Sequence, residues 1–395
     1  MNLLQVSWKN VTGRPLSSSL SILILALGVS LITVVFRISD QLKENFTSNM
    51  TGIDMVVGAK GSPLQLILSA VFHIDVPTGN IPLLEAQSIL KNRYVKRAIP
   101  LSYGDSYQGY RIIGTDISYL NLYKGVITAG QIFSSPLEVV LGAKVAEFTQ
   151  LVVGDTFESA HGLETEGMKH DKVRFKVVGL ISVTGTVLDQ LIITPTESVW
   201  EVHDNHSSDI QEETLQEITA LLVKFASPMG LIQLPRFINS STSMQAALPA
   251  YEISKLFSLL GIGIDILYYI AYLLVGVAGL SLWITMTNAL KERHYELALM
   301  RTYGATKSQI FISVIQESLM LGAAGFIAGY SLGQLGLAII NPSLVSEYGF
   351  AVKLITFDSF DLTLSVAVFS ICFISALTPA IRASRKDISA TLSDK

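Results

Sequence analysis

Three groups of residues have types and spacings that could do chemistry. His203-Asp-Asn-His206, with Glu201 and Asp209 beside it, offers the nitrogen and oxygen donors that hold Zn²⁺ or a similar ion. Its spacing matches no tight zinc pattern, so a solvated acidic loop that contains histidines is the better reading; the same holds for His161 with His170 and for His73 with Asp75. Gly52, Gly58 and Lys60 have the residue types of a phosphate-binding loop. That loop needs four residues between its glycines and lysine directly after the second, whereas here five intervene and Ala59 precedes Lys60. The chain itself is therefore expected not to hydrolyse ATP. No nucleophile elbow, Ser/His/Asp order or paired-carboxylate signature points to catalysis. The third group is Lys291–Gln309, a charged stretch between two long apolar segments. It reads as a short helix, a stop at Gly304, which suits the left-handed position after a helix end, and a new start at Thr306 with Gln309, a capping box. From these residues alone, a helix that docks on a soluble partner and a solvated turn between two spans both remain open.

Two features lie inside the apolar segment that follows. Glu317 is an intramembrane carboxylate, costly unless partnered, and a structural hydrogen bond is favoured over a proton- or cation-coupling role. Gly325, Gly329 and Gly333 repeat every four residues and form a small-residue row along one helix face, flanked by Ala324 and Ala328, where a neighbouring backbone could approach closely.

The elements that must position these groups follow from composition. Half of the 395 residues are apolar and 15% are charged, with a mean hydropathy of +0.47. That is too apolar for an ordinary soluble protein. A net charge of −4 provides no basic field for nucleic acid. The single cysteine, Cys372, excludes an internal disulfide and a cysteine-based metal site. Residues 1–36 read as a basic leader, with Trp8, Lys9 and Arg14 suited to the inner membrane surface, and a first span from Leu16. No small-residue cleavage site follows, so a retained anchor is expected. Residues 37–258 form a soluble domain with helical stalks. Within it, Arg111–Asp116, Glu138–Gly142, Val173–Gly179 and Leu191–Thr194 read as short strands, and Ala143–Gln150 as a helix. Residues 259–288 are the second span, 289–308 a loop, 309–340 the third span, 341–361 an external loop, 362–381 the fourth span and 382–395 a tail. Asp265 falls at a depth comparable to Arg37, so a pair between them is conceivable. Lys9, Arg14, Lys291, Arg293, Arg301, Lys307, Arg382, Arg385 and Lys386 all mark one side, placing both termini and the 289–308 loop in the cytoplasm.

Glu292, Arg293, Glu296, Leu297, Met300, Arg301, Gly304 and Ala305 resemble the coupling region of MacB/FtsX-type (type VII) ABC transporter permeases, whose pattern is close to E-R-x-x-E-I-x-x-L-R-x-x-G-A; Met300 replaces the usual leucine. The blocks Ile113-Gly-Thr-Asp116, Gly130-Gln-Ile-Phe133, Val140-Leu-Gly142 and Val153-Gly-Asp-Thr-Phe157 resemble the periplasmic core domain of the same permeases, in family order. The tail from Pro379 to Leu392 is similar to the family's ending, with Ile388 in place of a proline. The resemblance implies an α-helical membrane protein with four transmembrane helices and a mixed α/β extracytoplasmic domain between the first two. It implies a bacterial inner-membrane permease that dimerises with a second permease copy and meets membrane lipids. It also implies an ABC ATPase subunit, which binds ATP and Mg²⁺, so that no cofactor is expected in this chain. Efflux with a periplasmic adaptor and outer-membrane channel, extraction of lipid or lipoprotein, and FtsX-like regulation of a cell-wall hydrolase all stay open, as does homodimer versus heterodimer.

Overall fold

The computed structural model describes residues 3–160, 169–204, 216–348, 352–354 and 358–385. His161, His206, Asp209 and the tail beyond Arg385 lie outside the described residues. The chain begins with α1 (Leu3–Thr12) and α2 (Pro15–Met50); Pro15 takes the first helical position, where its missing N–H leaves no intrahelical bond unmade. Then follow β1 (Met55–Ala59), α3 (Pro63–Ala70), β2 (Ile81–Pro82), α4 (Leu83–Leu90), β3 (Val95–Tyr107), β4 (Tyr110–Thr115), α5 (Ile117–Leu122), β5 (Ile127–Gly130), β6 (Glu138–Leu141), α6 (Ala143–Thr149), β7 (Thr156–Ala160) and β8 (Lys169–Ile181). After these come β9 (Leu191–Pro195), α7 (Thr196–Asp204), β10 (Glu217–Ile218), β11 (Ala220–Phe225), α8 (Met229–Ser241) and β12 (Met244–Ala247). The chain ends with α9 (Pro249–Glu292), α10 (His294–Thr302), α11 (Lys307–Tyr348) and α12 (Ser359–Arg385). Two units result: Met1–Leu42 with Leu260–Lys395, and Lys43–Leu259.

In the second unit the main sheet runs β12-β1-β11-β3-β4-β9-β6-β8-β5, with β7 joined to β3 and β8. The β4–β9 and β6–β8 pairs are parallel, and the remaining pairs in the sheet are antiparallel. Alternate residues of β1 and β11 feed opposite faces. Val56 and Leu222 pack with Leu66 and Ile67 of α3, whereas Val57 and Leu221 pack with Ile89 of α4 and Leu234 and Ile238 of α8. Burial on both faces explains why consecutive residues of these strands are apolar. It also settles the Gly52/Gly58/Lys60 lookalike, since Gly58 lies in the buried strand β1 rather than in a loop. The open edge of β12 is closed by one side chain: Asn239 donates to the Ala246 carbonyl at 3.1 Å and accepts from its N–H at 2.7 Å.

His73 follows α3 in a left-handed conformation, φ 57°. Both ring nitrogens meet tyrosine hydroxyls at 2.8 Å, Nδ1 facing Tyr103 and Nε2 facing Tyr119. The Tyr103 hydroxyl donates its one hydrogen to the Ser69 carbonyl. Nδ1 must then be the donor to Tyr103, and Nε2 accepts from Tyr119, which fixes a neutral imidazole. Burial, and secondly the Arg111 cation, push the His73 pKa down to about 3 from 6.5. Between those values the unfolded chain binds a proton that the folded one refuses. Stability is therefore fully present above about pH 6.5 and falls as the pH drops toward 3, by about 1.4 kcal/mol per unit within that window. Hydrogen exchange of α3 and β3 in the full chain should show protection lost between pH 7.5 and pH 5, after correction for intrinsic rates. His73→Asn, which tolerates the left-handed backbone but cannot bridge both tyrosines, should be weaker at pH 7.5 and flatter with pH.

In the first unit α2, α9, α11 and α12 are each long and apolar enough to cross a membrane. The glycine row of α11 meets α2: a Cβ on Gly329 would lie 2.6 Å from the Ala26 carbonyl oxygen, and one on Gly325 would lie 2.6 Å from Leu25 Cδ2. Gly322 of α11 abuts Cys372 of α12, whose carbonyl accepts from the Ser318 hydroxyl at 2.8 Å. Gly28 of α2 abuts Val275 of α9, and the Ser21 hydroxyl lies 3.1 Å from that of Ser281. Further along α2, the partners of Arg37 among the described residues are Asp358 and Asp361 rather than Asp265. Its guanidinium reaches Asp358 at 2.7 Å and Asp361 at 2.5 Å, while Phe36 stacks on Phe360. Depth inferred from hydropathy could not distinguish these acids, because the pairing depends on which helices are neighbours.

Candidate coupling site

The stretch between α9 and α11 is built by local backbone chemistry. α9 ends at Glu292, and Arg293, with φ −106° and ψ 14°, breaks the helix before α10 begins. At the other end of α10, the N–H of Ala305 bonds the Met300 carbonyl at 3.0 Å and the N–H of Gly304 bonds the Arg301 carbonyl at 3.0 Å. That pair of bonds is a Schellman stop, and it needs the left-handed φ of 96° that Gly304 supplies. Thr306 and Gln309 then close the capping box, with Thr306 N–H donating to Gln309 Oε1 at 2.9 Å and Gln309 N–H to Thr306 Oγ1 at 3.2 Å. The end of α10 and the start of α11 are thus fixed.

The helix has two faces. Arg293, Leu297 and Met300 line a cavity with Met286, Ile310 and Glu317, and Ala298 is buried. Tyr295, Leu299 and Tyr303 are exposed, Tyr303 to 84%; their spacing of four residues puts them along one side. Glu292 and Glu296 are also exposed. The sequence motif therefore divides: Leu297 and Met300 face inward, Glu292 and Glu296 face solvent, and Arg293 reaches inward from the junction.

Residues of α1 and of the link to α2 that the motif does not include complete the site. Arg14 bridges to Glu292 at 2.9 Å and donates to the Ala289 carbonyl at 3.2 Å. Asn10 donates to Glu317 at 3.4 Å, and Ser7 donates to the Ser313 carbonyl at 3.2 Å. The polar positions 7 and 10 stand three apart on α1, which was a readable signal for a packed polar face. Arg293 Nε meets Glu296 at 2.9 Å, and its Nη1 lies 3.5 Å from Glu317. Glu317 thus takes neighbours from α1 and from the α9–α10 junction. Gly325, Gly329 and Gly333 lie further along α11 against α2. His203 falls in α7. Among the described residues no group of three or more His, Cys, Asp or Glu is placed to hold a metal ion.

These elements define a multi-pass membrane protein with a mixed α/β domain inserted between its first and second spans. The chain belongs to the MacB/FtsX-type ABC transporter permeases: residues 18–230 match the MacB-like periplasmic core domain and residues 268–388 the FtsX-like permease C-terminal domain. The inserted domain is periplasmic or extracellular. The chain is 24% identical over 416 residues to an uncharacterized ABC transporter permease protein of Mycobacterium tuberculosis, covering 98% of this chain and 44% of that protein. It therefore spans less than half the length of that relative. Among solved structures it aligns with the periplasmic region of MacB from Actinobacillus actinomycetemcomitans, with a TM-score of 0.35 and 16% identity over 53% of this chain and 97% of that one. It also aligns with the extracellular domain of the noncanonic ABC-type transporter YknZ from Gram-positive bacteria, with a TM-score of 0.31 and 11% identity over 49% of this chain and 98% of that one.

Proposed function

We propose that this chain passes the motion of a separate ABC ATPase across the inner membrane to its extracytoplasmic domain, and so drives export from the periplasm or outer leaflet. The observation that carries the reading is α10, a helix with a defined stop at Gly304 that presents Tyr295, Leu299 and Tyr303 to solvent beside Glu292 and Glu296. An amphipathic helix with aromatic anchors suits a groove on a soluble protein. In this reading both termini and α10 are cytoplasmic, ATP and Mg²⁺ belong to the partner, and two permease copies assemble with two ATPases. Several polar groups of the bundle pair with one another, as Arg37 does with Asp358 and Asp361 and Ser21 with Ser281. That favours mechanical transmission over a hydrophilic pore. Extraction of lipid or lipoprotein and control of a cell-wall hydrolase use the same transmission and differ in what the outer domain meets.

Glu296→Lys reverses a charge that is 65% exposed. The variant should insert and dimerise normally yet lose tenfold or more of the ATP turnover measured on the complex purified with its native ATPase. Unchanged turnover would remove α10 from the docking surface. The proteins that co-purify with the outer domain distinguish the three uses: an adaptor indicates efflux, a lipoprotein carrier extraction and a hydrolase regulation.

A further inference from the structure

Glu317 is a carboxylate whose side chain is only 8% exposed, yet its contacts among the described residues are long: Asn10 at 3.4 Å and Arg293 at 3.5 Å. A buried carboxylate is ordinarily held by charge-assisted bonds of about 2.7–2.9 Å. Arg293 makes its short contact elsewhere, with Glu296 at 2.9 Å on the solvent side of α10. Arg293 and Glu317 line one small cavity together with Leu297, Met300 and Asn10. One cation thus stands between an exposed acid that holds it and a buried acid that lacks a close partner.

We propose that Arg293 is a positioning residue shared between Glu296 and Glu317, and that a cationic group of the ATPase engaging Glu296 releases it to close on Glu317. This rests on α10 being the docking helix. Closure shortens a 3.5 Å contact to hydrogen-bond range and draws the α9–α10 junction onto α11. An event at the exposed face then becomes a displacement at the foot of the second and third spans. Arg14 would hold the neighbouring Glu292 meanwhile, its own contact being 2.9 Å. A fixed structural triad would instead keep all its distances whether or not Glu296 is occupied.

The first test needs only the full-length chain in detergent. The melting-temperature loss caused by Glu317→Gln is compared in the native sequence and in the Glu296→Gln background. Sharing predicts at least a twofold larger loss in the Glu296→Gln background, because the freed Arg293 then engages Glu317. An equal or smaller loss overturns the proposal. The second test is the charge exchange Arg293→Glu with Glu317→Arg. It restores opposite charges across the cavity, but the carboxylate at 293 is repelled by Glu296 and nothing remains to be released. The melting temperature should recover while ATP turnover of the purified complex stays tenfold or more below the native one. Recovery of both would make the pair merely structural. If no ATPase accompanies even the native chain, the docking reading fails, while the melting comparison still decides whether Arg293 is shared.

Discussion

Gly329→Ala is expected to cost the membrane unit about 3 kcal/mol, the upper end of the range for overpacking a well-filled core. The added Cβ would lie 2.6 Å from the Ala26 carbonyl oxygen, 2.9 Å from Ala26 Cα and 2.8 Å from Val29 Cβ. Two of those atoms are backbone, so relief requires α2 and α11 to separate. The rest of the row should respond differently. At Gly325 the obstruction is the Leu25 side chain, with Cδ2 at 2.6 Å, Cγ at 3.0 Å and Cβ at 3.1 Å. Rotation relieves the nearest of these, and a smaller loss follows. At Gly333 the nearest atoms are 3.3 Å away, a contact that a shift of a few tenths of an ångström accommodates. Gly336 has nothing within 4 Å, so Gly336→Ala should be neutral or gain up to about 1 kcal/mol from the better helix former. Melting of the four purified variants in one detergent checks the order. Equal behaviour at 329 and 336 would show that the helices do not approach so closely.

What the sequence revealed was local or periodic. The stop at Gly304 and the box at Thr306 and Gln309 were legible because their chemistry lies within a few residues, and the structure makes the bonds those residue types imply. The strands β4, β6, β8 and β9 were legible as short β-branched runs. The two faces of α10 were legible in principle. Positions 293, 297 and 300 share one helical side and 295, 299 and 303 another, but reading the motif as a single block concealed the division. Partnership across the chain was not legible. Arg37 and Asp361 are 324 positions apart, and nothing in apolar periodicity says which spans are neighbours. One clue did exist. Asp358 and Asp361 stand three apart before an apolar run, as a capping box requires, so both acids belonged at a helix start. The environment of Glu317 was hidden for the same reason, since Asn10 is 307 positions away.

Arg37→Ala should destabilise the membrane unit by about 3–5 kcal/mol, because it leaves the buried Asp361 without its counter-charge, and Asp361→Ala should cost less, about 2–3 kcal/mol, because Arg37 keeps Asp358. The guanidinium is tied to the beginning of α12 in a way that makes substitution especially damaging. Asp358 caps that helix by accepting from the N–H of Phe360 at 3.1 Å and of Asp361 at 3.4 Å, and Asp361 reaches back to the N–H of Asp358 at 3.0 Å. Arg37 grips both carboxylates of this reciprocal cap, so one cation fixes where α2 meets α12. The two acids are not equivalent. The Asp361 side chain is fully buried, whereas that of Asp358 is 42% exposed. Asp358→Ala should therefore cost nearer 1–2 kcal/mol, mostly the lost cap, because water replaces part of the ion pair. Removing both buried charges is the more informative change. Arg37→Met with Asp361→Leu should recover much of the single-variant loss, since matched apolar groups avoid stranding either ion. Melting temperatures of these variants in a common detergent decide the matter. A double variant no better than the singles would mean that the hydrogen bonds to the cap, rather than the balance of charge, hold α2 and α12 together.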